Sequence, residues 1–514
     1  MRPRLFISSL LLLLAICSCG TTSRTPLSIG SVILATDKPF SEQVTKANTT
    51  YIIKDDFDLE GVSVNLPHAS TLVFKKGSIS NGTLIGDESH VELGQTKPAF
   101  NEVLLKGTFV ANTFPINAYN TNKLDLFYTF LQAFSGTELY LTENYSATVF
   151  LGQADGTTPH SLHIDGKGYK LSLYSFGAYK VEDCVIKDIT IEATNNITPA
   201  NKWKSDKFNF GIVGEFDSSS LKLQNVTFSS ETGFAYIRGF KTVEISRCKQ
   251  IGSYFFVYDC DDVSFTKNSI ENAAYGYYSI GKMAEDGQVK LSDNQFKNIS
   301  GGGMILTGGL KYNVSITNNV LENVGGGLSE EACINIHPRG LILVKDNRIV
   351  ANKGAVTMDI DAARANYYSD MTMVIVENNV IESVKEDTSL HGMALVGLAK
   401  LYVKNNTIRN QHFHFWDTPY MEFSGNTVEF SMGFEKSTEI GAMTTHETTE
   451  SKHYNHIYKN NVFKIPYSKG TVHFRYQSKV PVSVTGEGNS YSIPVEFVDQ
   501  NKKFKASGDI KIYR

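Results

Sequence analysis

The chain has 514 residues and a formal net charge of −4, and it contains 41 Gly, 25 Tyr and 31 Phe but only 13 Pro. This composition excludes a disordered chain and favours a turn-rich β protein with a large core. The loss of Arg2 and Arg4 with residues 1–18 would change the net charge to −6. No basic stripe is visible, which argues against nucleic acid as a partner, because that binding needs clustered Lys and Arg.

Residues 1–18 have the pattern of a secretion signal, with a basic start and an apolar run that is too short to span a membrane. Residues 16–19 (Ile-Cys-Ser-Cys) resemble the lipobox of bacterial lipoproteins, which implies cleavage before Cys19 and acylation of that residue. The alternative is an ordinary signal peptide that is cleaved elsewhere. We expect an outer-membrane lipoprotein anchored by Cys19 in the bacterial cell envelope, with residues 19–44 as a linker. Because no acidic run follows Cys19, the periplasmic side is favoured over the surface.

Residues 45–118 alternate apolar and polar residues around Gly-rich turns, which predicts further β coils or a small β cap. A short amphipathic helix is predicted near residues 122–134. Its apolar residues fall at spacings of three and four: Leu124, Phe127, Tyr128, Leu131 and Phe134.

From residue 263 onward one phrase recurs: apolar, any, apolar, any, any, Asn. Each copy reads as a strand followed by a corner, and the variable spacing of 26, 25, 28, 32, 27 and 20 residues suits a coil of fixed cross-section with turns of variable length. Asn tolerates the left-handed backbone conformation at a corner, and its amide can bond between stacked coils. The alternative is that Asn merely marks solvent-exposed turns. The clean copies end at Asn268, Asn294, Asn319, Asn347, Asn379, Asn406 and Asn426, and looser copies end at Asn225, Asn461 and Asn489.

The predicted fold class is therefore all-β, a single-stranded parallel β-helix over residues 119–495, with residues 496–514 as a tail or cap. The helix near residues 122–134, the Gly-Thr turn at 136–137, the apolar strand after it and Tyr145 resemble the entry to the β-helix of the pectate-lyase superfamily. This resemblance covers roughly residues 120–490 and implies a right-handed helix with a capping α-helix. The Asp-rich turn of that superfamily is absent, and Thr-Glu-Asn replaces its Pro-any-Gly at 142–144. The signatures of polygalacturonases are also absent, so no catalytic residue is carried over.

Outward side chains of neighbouring coils should form a flat face that suits an extended polymer. Strand alternation turns Asp359 and Asp361 outward with their Cα atoms ~6.6 Å apart. The preceding coil offers Asn335, His337 and Arg339, and Arg364 follows the two acids in the sequence. Later coils offer the remaining candidates, which are His391, His412, His414 and Trp416. Such a patch suits sugar, because aromatic rings stack on pyranose rings and the polar groups bond hydroxyl or carboxylate groups.

Two mechanisms are compatible with this patch. A glycoside hydrolase would use Asp359 and Asp361 as acid and base. A polysaccharide lyase would neutralise a uronate with Arg339, Arg364 or Ca²⁺ and remove a proton with His337. The leading hypothesis is an envelope-anchored, monomeric protein that binds and cleaves a complex polysaccharide. The alternative is a non-catalytic glycan-binding or adhesive surface protein, in which the same residues are merely solvated.

Two further clusters have structural interpretations. Cys184, Cys248, Cys260 and Cys333 match no metal pattern and are interpreted as buried packing residues, with a disulfide between Cys248 and Cys260 as the alternative. The longest insertion, between two of the repeat asparagines, holds His446, His453 and His456. The mixed spacing of these three residues favours a solvated loop over a metal site.

Overall fold

The structure is a computed structural model, and the described residues share a continuous parallel β architecture. It describes residues 30–95, 97–150, 160–193, 210–214, 218–229, 234–280, 287–307, 312–325, 332–337, 340–352, 356–361, 369–383, 392–430, 439–444, 453–465, 472–492, 495–500, 504–510 and 512–513.

Each complete coil contributes one strand to each of three stacked sheets. In one coil Asp262–Thr266 belongs to the first sheet, Ser269–Glu271 to the second and Tyr277–Ile280 to the third. Every pairing in these sheets is parallel, because each strand bonds to its equivalent one coil earlier and one coil later. The predicted parallel β-helix is thus confirmed.

The strands of the first sheet begin at the junction with the N-terminal region and continue to the end of the chain. They are Thr113–Pro115, Glu138–Tyr140, Ser161–Asp165, Asp183–Ala193, Ser220–Ser229, Thr242–Ser246, Asp262–Thr266, Gly287–Ser292, Tyr312–Thr317, Leu341–Lys345, Ser369–Glu377, Leu398–Lys404, Tyr420–Ser424, Tyr454–Lys459, Val482–Glu487 and Phe504–Gly508.

Two long strands, Asp183–Ala193 and Ser220–Ser229, turn the corner and also contribute to the second sheet. The other strands of the second sheet are short. They are Tyr145–Ala147, Lys170–Leu173, Lys249–Ile251, Ser269–Glu271, Gln295–Ile299, Val320–Val324, Arg348–Ala351, Val380–Ser383, Thr407–Arg409, Thr427–Glu429, Val462–Lys464 and Ser490–Tyr491.

The third sheet has 14 strands. They are Phe176–Val181, Phe210–Gly214, Phe234–Arg238, Tyr254–Tyr258, Tyr277–Ile280, Met304–Thr307, Ile334–Ile336, Met358–Asp361, Met393–Val396, Phe413–Trp416, Glu439–Thr444, Val472–Gln477, Val495–Asp499 and Ile512–Tyr513.

The N-terminal region forms a separate eight-stranded sheet, and all of its pairings are parallel as well. The region also contains an α-helix, Phe40–Gln43, and a 3-10 helix, Ile116–Ala118. Its strands are Ser31–Ile33, Thr50–Ile53, Phe57–Asp58, Ser63–Asn65, Thr71–Phe74, Ile79–Leu93, Phe100–Val110 and Tyr119–Asn120.

The predicted capping helix is confirmed as Leu124–Ala133. It packs between the N-terminal sheet and the first coils: the ring of Phe130 stacks on that of Tyr119 at 4.7 Å, and the Tyr128 hydroxyl donates to the Ser175 carbonyl at 2.9 Å. Within the described ranges, no helix has the length and apolar character needed to cross a membrane.

Apolar side chains from Leu34 to Ile510 form one continuous core. The paired structure therefore begins before residue 45 and continues beyond residue 495, the boundaries expected from the sequence. Ser31–Ile33 pairs with Thr50–Ile53 inside the segment expected to be a linker, and Phe504–Gly508 pairs with Val482–Glu487 inside the expected tail. Ser31–Ile33 is itself exposed, but Leu34, which follows it, and Phe504 are buried in the common core, so an apolar side chain holds each end of the stack.

The repeat asparagines form one buried ladder at the corner between the first and second sheets. Each side-chain amide donates to the Oδ1 of the asparagine one coil further on, at 2.9–3.1 Å. The same Oδ1 also accepts a bond from a backbone N–H, at 2.8–3.1 Å. The ladder runs from Asn268 to Asn489 and ends on the carboxylate of Asp509.

The left-handed residue at this corner is the one before each ladder asparagine, and not the asparagine as we expected. Asn318 has φ +57 and precedes Asn319, and Gly425 has φ +67 and precedes Asn426. The division has a physical reason: the left-handed residue turns the chain, and the next residue can then point its amide into the stack. Asn225 is itself left-handed and exposed, so this looser copy lies outside the ladder.

Candidate functional site

Most of the predicted site residues that are described lie on the outward face of the third sheet. Ile334 and Ile336 point into the core, so Asn335 between them points outward, and its register partner one coil later is Asp359. Ile336 pairs with Ile360, which places His337 and Asp361 at equivalent positions of the same two coils. The structure therefore places Asn335 and His337 beside two acids that follow them by more than 20 residues in sequence.

Asn335 stands out because its side chain is only 6% exposed. Its Oδ1 is buried and has no hydrogen-bond partner among the described residues. A buried acceptor without a donor costs on the order of 1–3 kcal/mol, so such an atom beside a pair of acids indicates a place for a ligand donor. Asp359 and Asp361, which we call the acid pair, are partly exposed next to it.

His414 and Trp416 lie on the same face but two coils beyond the acid pair. The intervening register partners are Ala394 and Val396, so only short side chains separate the two groups over a distance of ~9.6 Å between strands. The rings of His414 and Trp416 meet edge to face, with centroids 4.1 Å apart. His414 is only 6% exposed, so Trp416 is the more accessible member of the pair.

The structure does not place every candidate in this patch. His412 lies just before the strand Phe413–Trp416, towards the second sheet, and its ring centroid is 5.9 Å from that of Phe430. Arg339, Arg364, His391 and Cys19 lie outside the described residues.

An aromatic cluster that was not predicted from the sequence lies on the same face, three and four coils before the acid pair. We call it the aromatic platform. Its signal was present in the alternation of residues 254–258 (Tyr-Phe-Phe-Val-Tyr) and in the Tyr-Gly-Tyr-Tyr of 275–278, which were not among the predicted site residues. The platform consists of Tyr254, Phe256, Tyr258, Tyr275 and Tyr278, all partly exposed.

The structural interpretation of the four cysteines is confirmed, whereas that of the three histidines is wrong in part. All four cysteines are free and buried, so the packing interpretation is confirmed and a disulfide between Cys248 and Cys260 is excluded. The solvated-loop interpretation is wrong for His456, which lies in the strand Tyr454–Lys459 and is 3% exposed. His453 is exposed and lies 2.9 Å from the Ser483 hydroxyl, whereas His446 lies outside the described residues.

Burial lowers the pKa of His456 from 6.5 to about 4, although a hydrogen bond to the Thr418 carbonyl opposes this shift. Its Nε2 lies 2.9 Å from that carbonyl and its Nδ1 lies 3.2 Å from the hydroxyl of Tyr476. The neutral ring is thus a satisfied core residue and not a metal ligand. In the part of the chain that the structure describes, no three His, Cys, Asp or Glu side chains are grouped to hold a metal ion.

Comparison with known proteins agrees with the fold. A family model described as "Right handed beta helix region" matches residues 210–363, a span that contains the aromatic platform, Asn335 and the acid pair. The match supports the predicted right hand of the parallel β-helix. A search of curated proteins found no match.

Proposed function

We propose that this protein binds an extended polysaccharide on the outward face of the third sheet and hydrolyses it at the acid pair. The observation that carries the proposal is the buried, unpartnered Oδ1 of Asn335 in direct register with Asp359. A sugar hydroxyl is a donor that satisfies such an acceptor, and a pair of carboxylates on one strand suits attack on the bond next to that sugar.

The acid pair would supply both groups that glycoside hydrolysis needs. One carboxylic acid protonates the glycosidic oxygen as the bond breaks, and the other carboxylate activates water or attacks the anomeric carbon. Asn335 would hold the sugar, and His414 with Trp416 would line the far side of the site. A lyase would instead need Arg339, Arg364 or Ca²⁺ to neutralise a uronate, with His337 as the base. Hydrolysis is favoured because the acid pair places two carboxylates on one strand, directly beside Asn335.

The test is to incubate the purified protein with neutral and uronate polysaccharides while measuring reducing ends and the absorbance of unsaturated ends. We expect reducing ends without an absorbance increase. Asp359→Asn and Asp361→Asn should each lower kcat by about 10²–10⁴-fold, the range for loss of a general acid or base. The matched control is Asp262→Asn, which removes an exposed carboxylate from the first sheet and should leave kcat unchanged.

Unsaturated ends that disappear in His337→Ala would identify a lyase instead. Polysaccharide binding without either kind of new end would contradict cleavage and support the adhesive alternative, for which the flat sheet face and the elongated stack also provide a rationale.

We also propose that Cys19 anchors the protein in the bacterial outer membrane, with the β-helix facing the periplasm. The support is the sequence pattern of residues 1–19 and the absence of an acidic run after Cys19. Cys19→Ser should abolish incorporation of labelled palmitate and release the protein from the membrane fraction. Digestion of the wild-type protein by protease added to intact cells would contradict the periplasmic orientation.

A further inference from the structure

The aromatic platform is a continuous surface of rings that spans two coils. Tyr254 contacts Tyr275 with ring centroids 5.2 Å apart, and Tyr275 lies nearly parallel to Tyr278 at 5.3 Å. Phe256 is 5.3 Å from Tyr278 and 6.4 Å from Tyr258. All five side chains are partly exposed, although large apolar groups are usually buried, and the core already contains the inward Phe255 and Tyr277 of the same strands.

The platform lies in the same rows of register as the candidate site. Phe256 pairs with Tyr278, Tyr278 with Ile305, Ile305 with Asn335, and Asn335 with Asp359. Three coil spacings of ~4.8 Å separate Tyr278 from Asp359, which is a distance of ~14 Å along the axis of the stack. This distance corresponds to a few sugar units, and the row between the two places consists of Ile305 and Asn335, which are 2% and 6% exposed.

The ionisable groups in the strands from the platform to the acid pair oppose binding of an anionic polymer there. The described strands from Tyr254–Tyr258 to Phe413–Trp416 contain the acid pair and no Lys or Arg. Arg238, in the strand before them, lies 4.9 Å over the ring of Tyr258 and places a cation at the end of the platform far from the acid pair. Aromatic faces also carry a partial negative charge and attract the weakly positive C–H groups of a sugar ring. A uronate would meet repulsion from the carboxylates without a compensating cation in these strands.

We propose that the aromatic platform stacks the rings of a neutral polysaccharide whose chain runs parallel to the β-helix axis, from the platform to the acid pair. This inference rests on the proposed function and adds the substrate class, the direction of the chain and a second set of binding residues. The platform holds the polymer at a distance from the reacting bond, so it acts on affinity and not on the chemical step.

Two substitutions test the platform. Tyr278→Leu removes a ring but keeps apolar bulk, and Tyr275→Ala removes the ring that stacks on it. The matched control is Tyr402→Leu, because Tyr402 and Tyr420 form a partly exposed aromatic pair on the first sheet, with ring centroids 5.6 Å apart. Circular dichroism and the thermal midpoint of unfolding establish that each variant is folded.

The probes are soluble glucan, mannan, galactan and xylan as neutral polymers, with polygalacturonate and alginate as uronate polymers. We expect binding and cleavage of at least one neutral polymer and of neither uronate. Tyr278→Leu and Tyr275→Ala should each raise KM for the polymer about tenfold with kcat unchanged, and should leave the cleavage of short oligosaccharides unaltered. Tyr402→Leu should behave as the wild type.

The possible failures are distinguishable. Preference for a uronate polymer, or wild-type KM in both platform variants, would overturn this inference and leave the proposed function standing. If the wild-type protein neither binds nor cleaves any of the six polymers, the proposed function fails and this inference fails with it.

Discussion

The corner between the first and second sheets and the outward face of the third sheet are built from the same coils but follow opposite rules. At the corner, one residue type repeats from Asn268 to Asn489, and every copy makes the same bonds to the next coil. On the third sheet, one row of register reads Phe256, Tyr278, Ile305, Asn335 and Asp359, so that the chemistry changes at almost every coil.

The difference shows where stacking constrains the sequence. A buried corner must satisfy the same backbone groups in every coil, and an amide that both donates and accepts does this most simply. An outward face needs no identical neighbour, because solvent or a ligand can satisfy its polar groups. A residue type that repeats at equivalent positions therefore indicates a role in stabilising the fold. Residue types that vary at equivalent outward positions indicate a surface that is available for binding a ligand.

The largest expected effect comes from breaking the ladder in its middle. Asn319→Ala removes the amide that donates to the Leu291 carbonyl and to Asn347 Oδ1, and the acceptor of two bonds from Asn294. Because several buried groups lose partners, the free energy of unfolding should fall by about 4 kcal/mol, measured by guanidinium unfolding.

An exposed asparagine ladder provides the control for this variant. Asn298 donates to Asn272 Oδ1 and accepts from Asn323, but it is exposed, and its φ of +54 suits glycine as the replacement. Asn298→Gly should cost less than about 1 kcal/mol because water replaces the lost bonds. Equal losses in the two variants would contradict the importance of burial at the corner.

The repeat made the fold predictable, because Asn319 and its equivalents recur in one register and strand alternation then assigns the inward residues. The site was less predictable. The outward positions of Asn335 and Asp359 followed from alternation, but their pairing in one register row depends on how the turns set the register of coils of unequal length. The platform was missed because Tyr and Phe are typical of buried strands as well as of binding surfaces.

The error at His456 has the same origin. The long spacing before Asn461 suggested a projecting loop, but this coil contains the third-sheet strand Glu439–Thr444. A spacing of 35 residues between ladder asparagines measures chain length, and it does not tell how much of that length is paired. Only the pairing with Phe413–Trp416 reveals that the coil is complete.

A second prediction concerns this buried imidazole, which makes one coil sensitive to pH. The unfolded chain protonates His456 near pH 6.5, but the folded chain does so only near pH 4. As pH falls from 6.5 to 4 the unfolded state therefore binds the extra proton, and stability decreases by up to about 3 kcal/mol. At pH 7 this contribution is fully present, and below pH 4 no further loss comes from this residue.

Chemical unfolding at pH 7 and at pH 4.5 measures this effect, compared between the wild type and His456→Gln. The substitution lowers stability at both pH values, so the informative quantity is the difference between them, which should shrink by most of the predicted amount. The control is His453→Gln, which replaces an exposed histidine in the same region. An unchanged pH dependence in His456→Gln would show that other groups cause the acid sensitivity.

The smallest expected effect is an increase in the free energy of unfolding, and it comes from extending the asparagine ladder by one coil. Cys248 occupies the ladder position before Asn268: its backbone N–H donates to Asn268 Oδ1 at 2.8 Å, and its Sγ lies 3.6 Å from the Leu223 carbonyl. One coil later, the Asn268 amide donates to the equivalent carbonyl, that of Ile245, at 3.0 Å. An amide at position 248 would therefore find a carbonyl in front of it and Asn268 Oδ1 beside it.

Cys248→Asn should raise the free energy of unfolding by about 1 kcal/mol, because it adds buried amide bonds to a carbonyl and to Asn268 that the thiol makes weakly or not at all. Cys260→Asn provides the contrast, since Cys260 is also buried and free but lies outside the ladder, and the same change there should be destabilising. Thermal midpoints of the two variants measure both effects. If both substitutions destabilise the protein equally, the ladder depends on more than the position of the amide, and the corner is less modular than its repetition suggests.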